Sequence, residues 1–243
     1  MKFLRISLRF FLLTLVSVSL AQNKITENQQ LWLGYITESK LSSSFSWWND
    51  AQWVPESFFI VRTGLTYHAG EKYKMTSTLG YAYTRIYPPE GSSTFRPEHR
   101  PWGQTTLSHP VSSFRFFHRL RYEARFRGVI IEDHLQNEFN FNYRLRYLFQ
   151  VRYYFKNQKK GKYYLMASDE ILFNAGHEIK NNFRMDQNRI SLGAGYQIKN
   201  MTFQIAYMNQ IVESNTDYTF KMNHNLQILV FHSFDLRKKS TAE

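Results

Sequence analysis

The chain has 243 residues, no cysteine and a formal net charge of +12, enough for one substantial domain. Disulfides and thiolate metal sites are excluded. With 21 Phe, 16 Tyr and 5 Trp, the composition favours sheet over helix.

The first segment, MKFLRISLRFFLLTLVSVSLAQN, has a basic start at Lys2, Arg5 and Arg9 and an apolar run from Phe10 to Val18. Ser19 and Ala21 supply the small residues a signal peptidase reads, so a cleaved secretory signal is predicted over 1–21. The run is short for a bilayer helix, which needs about 20 apolar residues. The basic start accounts for only three of the twelve excess charges, so the rest belongs to the fold.

From there the chain alternates apolar and polar residues, the mark of a half-buried strand. LWLGYITE (31–38) comes first. SSFSWWNDAQW (43–53) sets Phe45, Trp47 and Trp53 against Ser46, Asp50 and Gln52. FIVRTGLTY (59–67) and TSTLGYAYTR (76–85) continue the pattern, and PWGQTTLS (101–108) is a weaker segment. In HRLRYEARFR (118–127), Arg119, Arg121, Glu123, Arg125 and Arg127 share one parity, while Leu120, Tyr122, Ala124 and Phe126 share the other. EFNFNYRLRYLFQVRYYF (138–155) repeats this over a longer run. YYLMASDEILF (163–173), QNRISLGAGYQI (187–198), MTFQIAYMNQI (201–211) and NHNLQILVF (223–231) complete a set of eleven segments.

Connectors alternate in length. Residues 70–74, 109–113 and 199–200 read as tight turns, and 157–162 as a basic turn on the same side. Residues 85–100, 128–138, 174–183 and 212–221 read as long polar loops. Outer-membrane barrels have this asymmetry and normally an even strand number. The fold class predicted is therefore all-β, a closed antiparallel transmembrane β-barrel of 10–12 strands with a polar, arginine-rich lumen. An error of one strand is expected in 85–108 or before Leu31.

A barrel in water fills its centre with apolar side chains, whereas in a bilayer the apolar parity faces lipid and the polar parity faces inward. The inward set predicted is Arg62, Arg119, Arg121, Glu123, Arg125, Arg144, Arg146, Arg152, Glu170 and Arg189. Candidate partners are Asp50, Glu138, Gln150, Gln187, Gln204 and Gln210. Gly64, Gly80, Gly193 and Gly195 make room for long side chains or let the sheet coil. Trp32, Trp47, Trp48, Trp53 and Trp102 are candidates for interfacial girdles. Two readings of the centre stay open: a plug of salt bridges, and a narrow channel favouring anions.

Reactive motifs are sparse. There is no GxSxG elbow and no HExxH. Ser108 and His109 are chain neighbours and point to opposite faces of a strand. His224 is the candidate base of a rim-sited hydrolase, with no serine marked to join it. His99, His134, His177 and His224, flanked by Glu98, Asp133 and Glu178, form only a weak metal pattern. No catalytic, cofactor-binding or metal residue is assigned, and no cofactor. Nucleic acid is not expected as a partner, because the basic residues alternate through strands instead of forming a patch.

The ordered set LWLGYITESKLSSSF (31–45), VRTGLTY (61–67), LGYAYTR (79–85), EHRPWGQ (98–104), HRLRYEARF (118–126), NYRLRY (142–147), DQNRISLGAGY (186–196) and NHNLQILVF (223–231) resembles the DUF2490 family of uncharacterised outer-membrane β-barrel proteins. The resemblance implies export, a barrel and the cell outer membrane, and carries no activity. Expected are a signal at 1–21, a barrel over 22–234 and a polar tail at 235–243. Expected partners are outer-membrane lipids, the barrel assembly machinery and a small anionic solute, with the protein a monomer. The role read from this is structural or that of a restricted small-solute pore. The alternatives are a lipid-modifying hydrolase at the membrane rim and a soluble periplasmic binding protein.

Overall fold

A computed structural model of the chain describes residues 24–70, 74–156, 160–176, 185–213 and 219–237. The predicted signal segment, His177 and Glu178 lie outside the described residues.

Eleven strands form one closed barrel: β1 (Lys24–Lys40), β2 (Phe45–Val54), β3 (Phe58–Ala69), β4 (Lys74–Ile86), β5 (Arg96–Val111), β6 (Phe114–Ile131), β7 (His134–Tyr154), β8 (Lys162–Ala175), β9 (Met185–Ile198), β10 (Met201–Glu213) and β11 (Thr219–Asp235). Each of the eleven predicted segments falls within or overlaps one of them.

Sequential neighbours pair antiparallel, while β1 and β11 pair parallel, from Lys24↔Thr219 to Lys40↔Asp235. This corrects the even count and the wholly antiparallel closure. When every sequential pair is antiparallel, an odd count leaves the first and last strands running the same way, so the seam must be parallel. Closure still leaves no edge strand, and all backbone ladders are internal.

Alternation decides which side chains are enclosed. Tyr122 and Tyr143 face out at 45% and 43% exposure, whereas Arg121 and Arg144 face in at 2% and 8%. Among the described residues the buried set holds twenty polar or charged side chains and eleven hydrophobic ones, the reverse of a barrel filled for water. Six of the apolar minority form two clusters, Trp32–Val54–Met208 and Ile60–Ala82–Trp102. Trp32 and Trp102 are therefore interior residues and Trp48 lines the cavity, while Trp47 and Trp53 face out. The five tryptophans do not form one girdle.

Strand direction puts the strand ends joined by the connectors read as short at one rim and those joined by the connectors read as long at the other, with two adjustments. Residues 132–133 form a two-residue turn in which Glu132 and Asp133 have φ of 49° and 59°. Both conformations suit a tight hairpin that more often carries Asn-Gly, so Glu-Asp concealed it. The loop after β4 ends sooner than expected, since β5 starts at Arg96.

Asp133 ties this turn to that loop. Its carboxylate accepts the Ser93 amide at 2.9 Å, the Thr94 amide at 3.0 Å and Ser93 Oγ at 2.8 Å. The Ser93 and Thr94 amides, then the Ser93 hydroxyl, hold the carboxyl down at about 2. A depressed carboxylate contributes fully above its unfolded value, about 3.9, and loses that contribution as pH falls through the folded one. The tie is thus expected to hold above roughly pH 4 and to release as pH approaches about 2. NMR shifts of the Ser93 and Thr94 amides should titrate in that window in the wild type and not in Asp133→Asn. Amides indifferent to pH in the wild type would refute the tie.

Candidate functional site

The barrel encloses a cavity of about 1220 Å³, lined from Glu38, His232 and Ser233 near one rim to Arg96, Arg127 and Ile130 near the other. Long side chains on the inward parity of β5 to β9 fill its middle.

Three buried carboxylates organise that layer. Glu98 Oε1 accepts Arg100 Nε at 2.7 Å and Arg125 Nε at 2.8 Å, and its Oε2 accepts Arg125 Nη2 at 2.8 Å. Glu123 Oε1 accepts Arg146 Nη1 at 2.9 Å, and its Oε2 lies 3.3 Å from Arg100 Nη1. Glu170 accepts Arg146 Nε at 3.0 Å, Arg146 Nη2 at 2.8 Å and Arg119 Nη2 at 2.6 Å, with Arg189 Nη1 at 3.5 Å. Arg146 thereby bridges two carboxylates. Elsewhere Asp50 takes Arg62 bidentately at 2.8 and 2.6 Å, and Arg144 donates to Asn174 and Asp186, each at 2.8 Å. The planar guanidinium fork suits these shared acceptors, where a lysine would supply one point charge.

Among the described residues, seven carboxylates (Glu38, Asp50, Glu98, Glu123, Glu170, Asp186 and Glu213) face eleven arginines (62, 96, 100, 119, 121, 125, 127, 144, 146, 152 and 189) in the interior. Three of them rest on glutamine and on an aromatic face. Arg121 bonds Gln104 at 2.7 and 3.0 Å over Trp102. Arg152 bonds Gln150 at 3.2 Å over Tyr164 and Phe117. Arg189 bonds Gln187 at 2.8 Å over Trp32. Neutral acceptors and ring faces hold a guanidinium in place without cancelling its charge.

Every residue of the predicted inward set faces the interior. Of the candidate partners, Asp50, Gln150 and Gln187 bond arginine. Gln204 instead accepts the Tyr164 hydroxyl at 2.9 Å, and Gln210 donates to Gln187 at 3.0 Å. Glu138 is exposed and lies outside the network. Glu98 and Arg100 were missed. Glu98, Arg100, Trp102 and Gln104 do alternate, but Pro97 and Pro101 hide the strand, since proline cannot donate to a ladder. The glycines make room for neighbouring backbone and rings rather than for arginines: a Cβ on Gly80 would collide with the Thr63 carbonyl and press on Trp102, one on Gly64 or Gly193 would meet adjacent-strand backbone, and one on Gly195 would collide with the Tyr164 ring.

The candidate chemistry does not assemble. His224 shares a hydrogen bond with Tyr207 on the outer face, as His99 does with Tyr81. Ser46 Oγ donates to Glu38 at 2.7 Å and lies 2.7 Å from His68 Nε2, a contact sequence did not show. Glu38 approaches that same Nε2, at 3.1 Å, whereas a nucleophile relay needs the acid on Nδ1. Ser46 is also fully buried. Among the described residues no three His, Asp or Glu converge as metal ligands.

A family model described as a protein of unknown function (DUF2490) matches residues 29–221. No curated protein and no solved structure matches the chain.

Removing one partner of a buried ion pair costs about 3–5 kcal/mol, because the other charge is left unanswered. Glu123→Ala should therefore lower the thermal unfolding midpoint well below that of Glu90→Ala, which alters an exposed loop residue. Equal midpoints would refute the network's role in stability.

Proposed function

We propose that this chain, which belongs to the DUF2490 family of proteins of unknown function, is an outer-membrane barrel whose interior is a narrow passage favouring small anions. The observation that carries the reading is the excess of arginine along a cavity bordered by residues of both rims. Arg152 bonds glutamine, and Arg121 and Arg189, also bonded to glutamine, stand 3.7 and 3.5 Å from carboxylate oxygens that other arginines already occupy. Rings of cationic side chains favour anions in a pore. The ion-paired layer at mid-height narrows the passage and restricts it to small solutes.

The outer face supports a lipid setting. Among the described residues, the outward parity of the strand middles carries no lysine or arginine. Its one carboxylate, Asp169, accepts Asn188 Nδ2 at 2.6 Å. On β5, His99 and His109 face out ten positions apart, with Pro101, Gly103, Thr105 and Leu107 between them. Ten residues of strand span about 33 Å. A tilt of roughly 35–45° reduces this to about 25 Å, the height of the apolar band of such barrels.

Purified protein in planar bilayers should give small discrete conductance steps. Under a potassium chloride gradient the reversal potential should lie toward that of chloride, and Arg152→Gln should move it toward zero. Absence of steps in either gradient direction would sink the passage. Extraction of the protein from membranes by urea would sink the outer-membrane placement.

A further inference from the structure

Arg121 is the least reconciled charge in the interior. It sits on β6 between Gln104 of β5 and Arg146 of β7, its register partners. Its residue is 2% exposed. Nε and Nη2 both bond one neutral atom, Gln104 Oε1. Nη1 stands 3.7 Å from Glu123 Oε1, an oxygen already taken by Arg146 at 2.9 Å. Arg62 lies over Trp48 and Arg121 over Trp102, two rings whose centroids are 5.2 Å apart, and Arg119 is two positions along β6 on the same face. Arg62 is committed to Asp50 and Arg119 to Glu170 through Nη2, while Arg119 Nε is a buried donor with no acceptor. Arg62, Arg119 and Arg121 all border the same cavity.

A guanidinium withdrawn from water among like charges is costly unless an anion answers it. The fork geometry favours a small oxyanion that offers two oxygens in one plane, such as a carboxylate, phosphate or sulfate. Trp102, stacked edge-on with Trp48 at 5.2 Å, backs Arg121 from below at 5.0 Å and fixes the direction in which its remaining N–H groups point.

We propose that Arg121, with Arg62 and Arg119, forms a discrete binding station for a small oxyanion at mid-height in the barrel. The station deepens the anion reading above but does not depend on conduction, because a closed barrel would hold the same anion as a fixed counter-ion.

The test is sulfate binding to the full folded protein in lipid-free detergent, by calorimetry at constant ionic strength with chloride as the balancing salt. One saturable site is expected. Arg121→Met should weaken it about tenfold or more, the loss expected for a charge-assisted hydrogen bond. Arg85→Met, at the far rim over Phe95, should leave it unchanged. If Arg121→Met fails to fold, Gln104→Leu frees the fork and should still alter sulfate affinity, and selenate soaked into crystals should scatter anomalously beside Arg121. No saturable binding, equal binding in both arginine variants, or a response only after phospholipid is added would overturn the proposal. Sulfate binding without bilayer conductance would keep the station and discard the passage.

Discussion

A guanidinium enclosed by a sheet cannot retreat to bulk water, and that constraint shapes the interior. Glu98, Glu123 and Glu170 are each shared among several arginines. Glu98 of β5 meets Arg125 of β6, Glu123 of β6 meets Arg146 of β7, and Arg146 reaches Glu170 of β8, which Arg189 of β9 approaches. The chain of pairs crosses five consecutive strands without a break. The opposite arc is different in kind. There Trp32, Val54 and Met208, and Ile60, Ala82 and Trp102, pack against one another. The barrel thus has an arc crossed by a continuous chain of ion pairs and an arc where apolar clusters flank the separate Asp50–Arg62 pair.

Small residues link the two. Gly80 leaves space for Trp102, which carries Arg121, and Gly195 leaves space for Tyr164, which carries Arg152. A ring face can hold a desolvated cation with about 2 kcal/mol or more, and it does so without consuming the charge. Backbone, ring and cation form a stack in which the residue without a side chain decides where the charge stands. The arginines that would matter to a passing anion are the ones held this way rather than by carboxylates.

Period 2 made the strands legible, because one parity of each segment is nearly free of polar atoms and the other rich in them. It also separated Tyr122 from Arg121 and Tyr143 from Arg144. What it could not show was height along the barrel, which depends on register between strands. Asp50 opposite Arg62, or Glu170 within reach of Arg119, is a cross-strand fact. By residue type Trp102 is a candidate for an interfacial girdle, yet it shares inward parity with Glu98 and Arg100. Prolines at 97 and 101 broke that segment to the eye without breaking it in space, since both occupy the outward parity. The seam between β1 and β11 is invisible to any local pattern: a parallel and an antiparallel neighbour ask the same alternation of a strand.

That seam has a practical corollary for re-engineering the chain. In a barrel of even count the two ends of the wall emerge side by side, and a short peptide can join them. Here Lys24 and Asp235 stand at opposite rims, separated along a 17-residue strand by about 55 Å of contour. A circular permutant would need a tether running the full depth of the wall, along its outer face or through the enclosed interior. Splitting the chain into two co-expressed fragments avoids that tether.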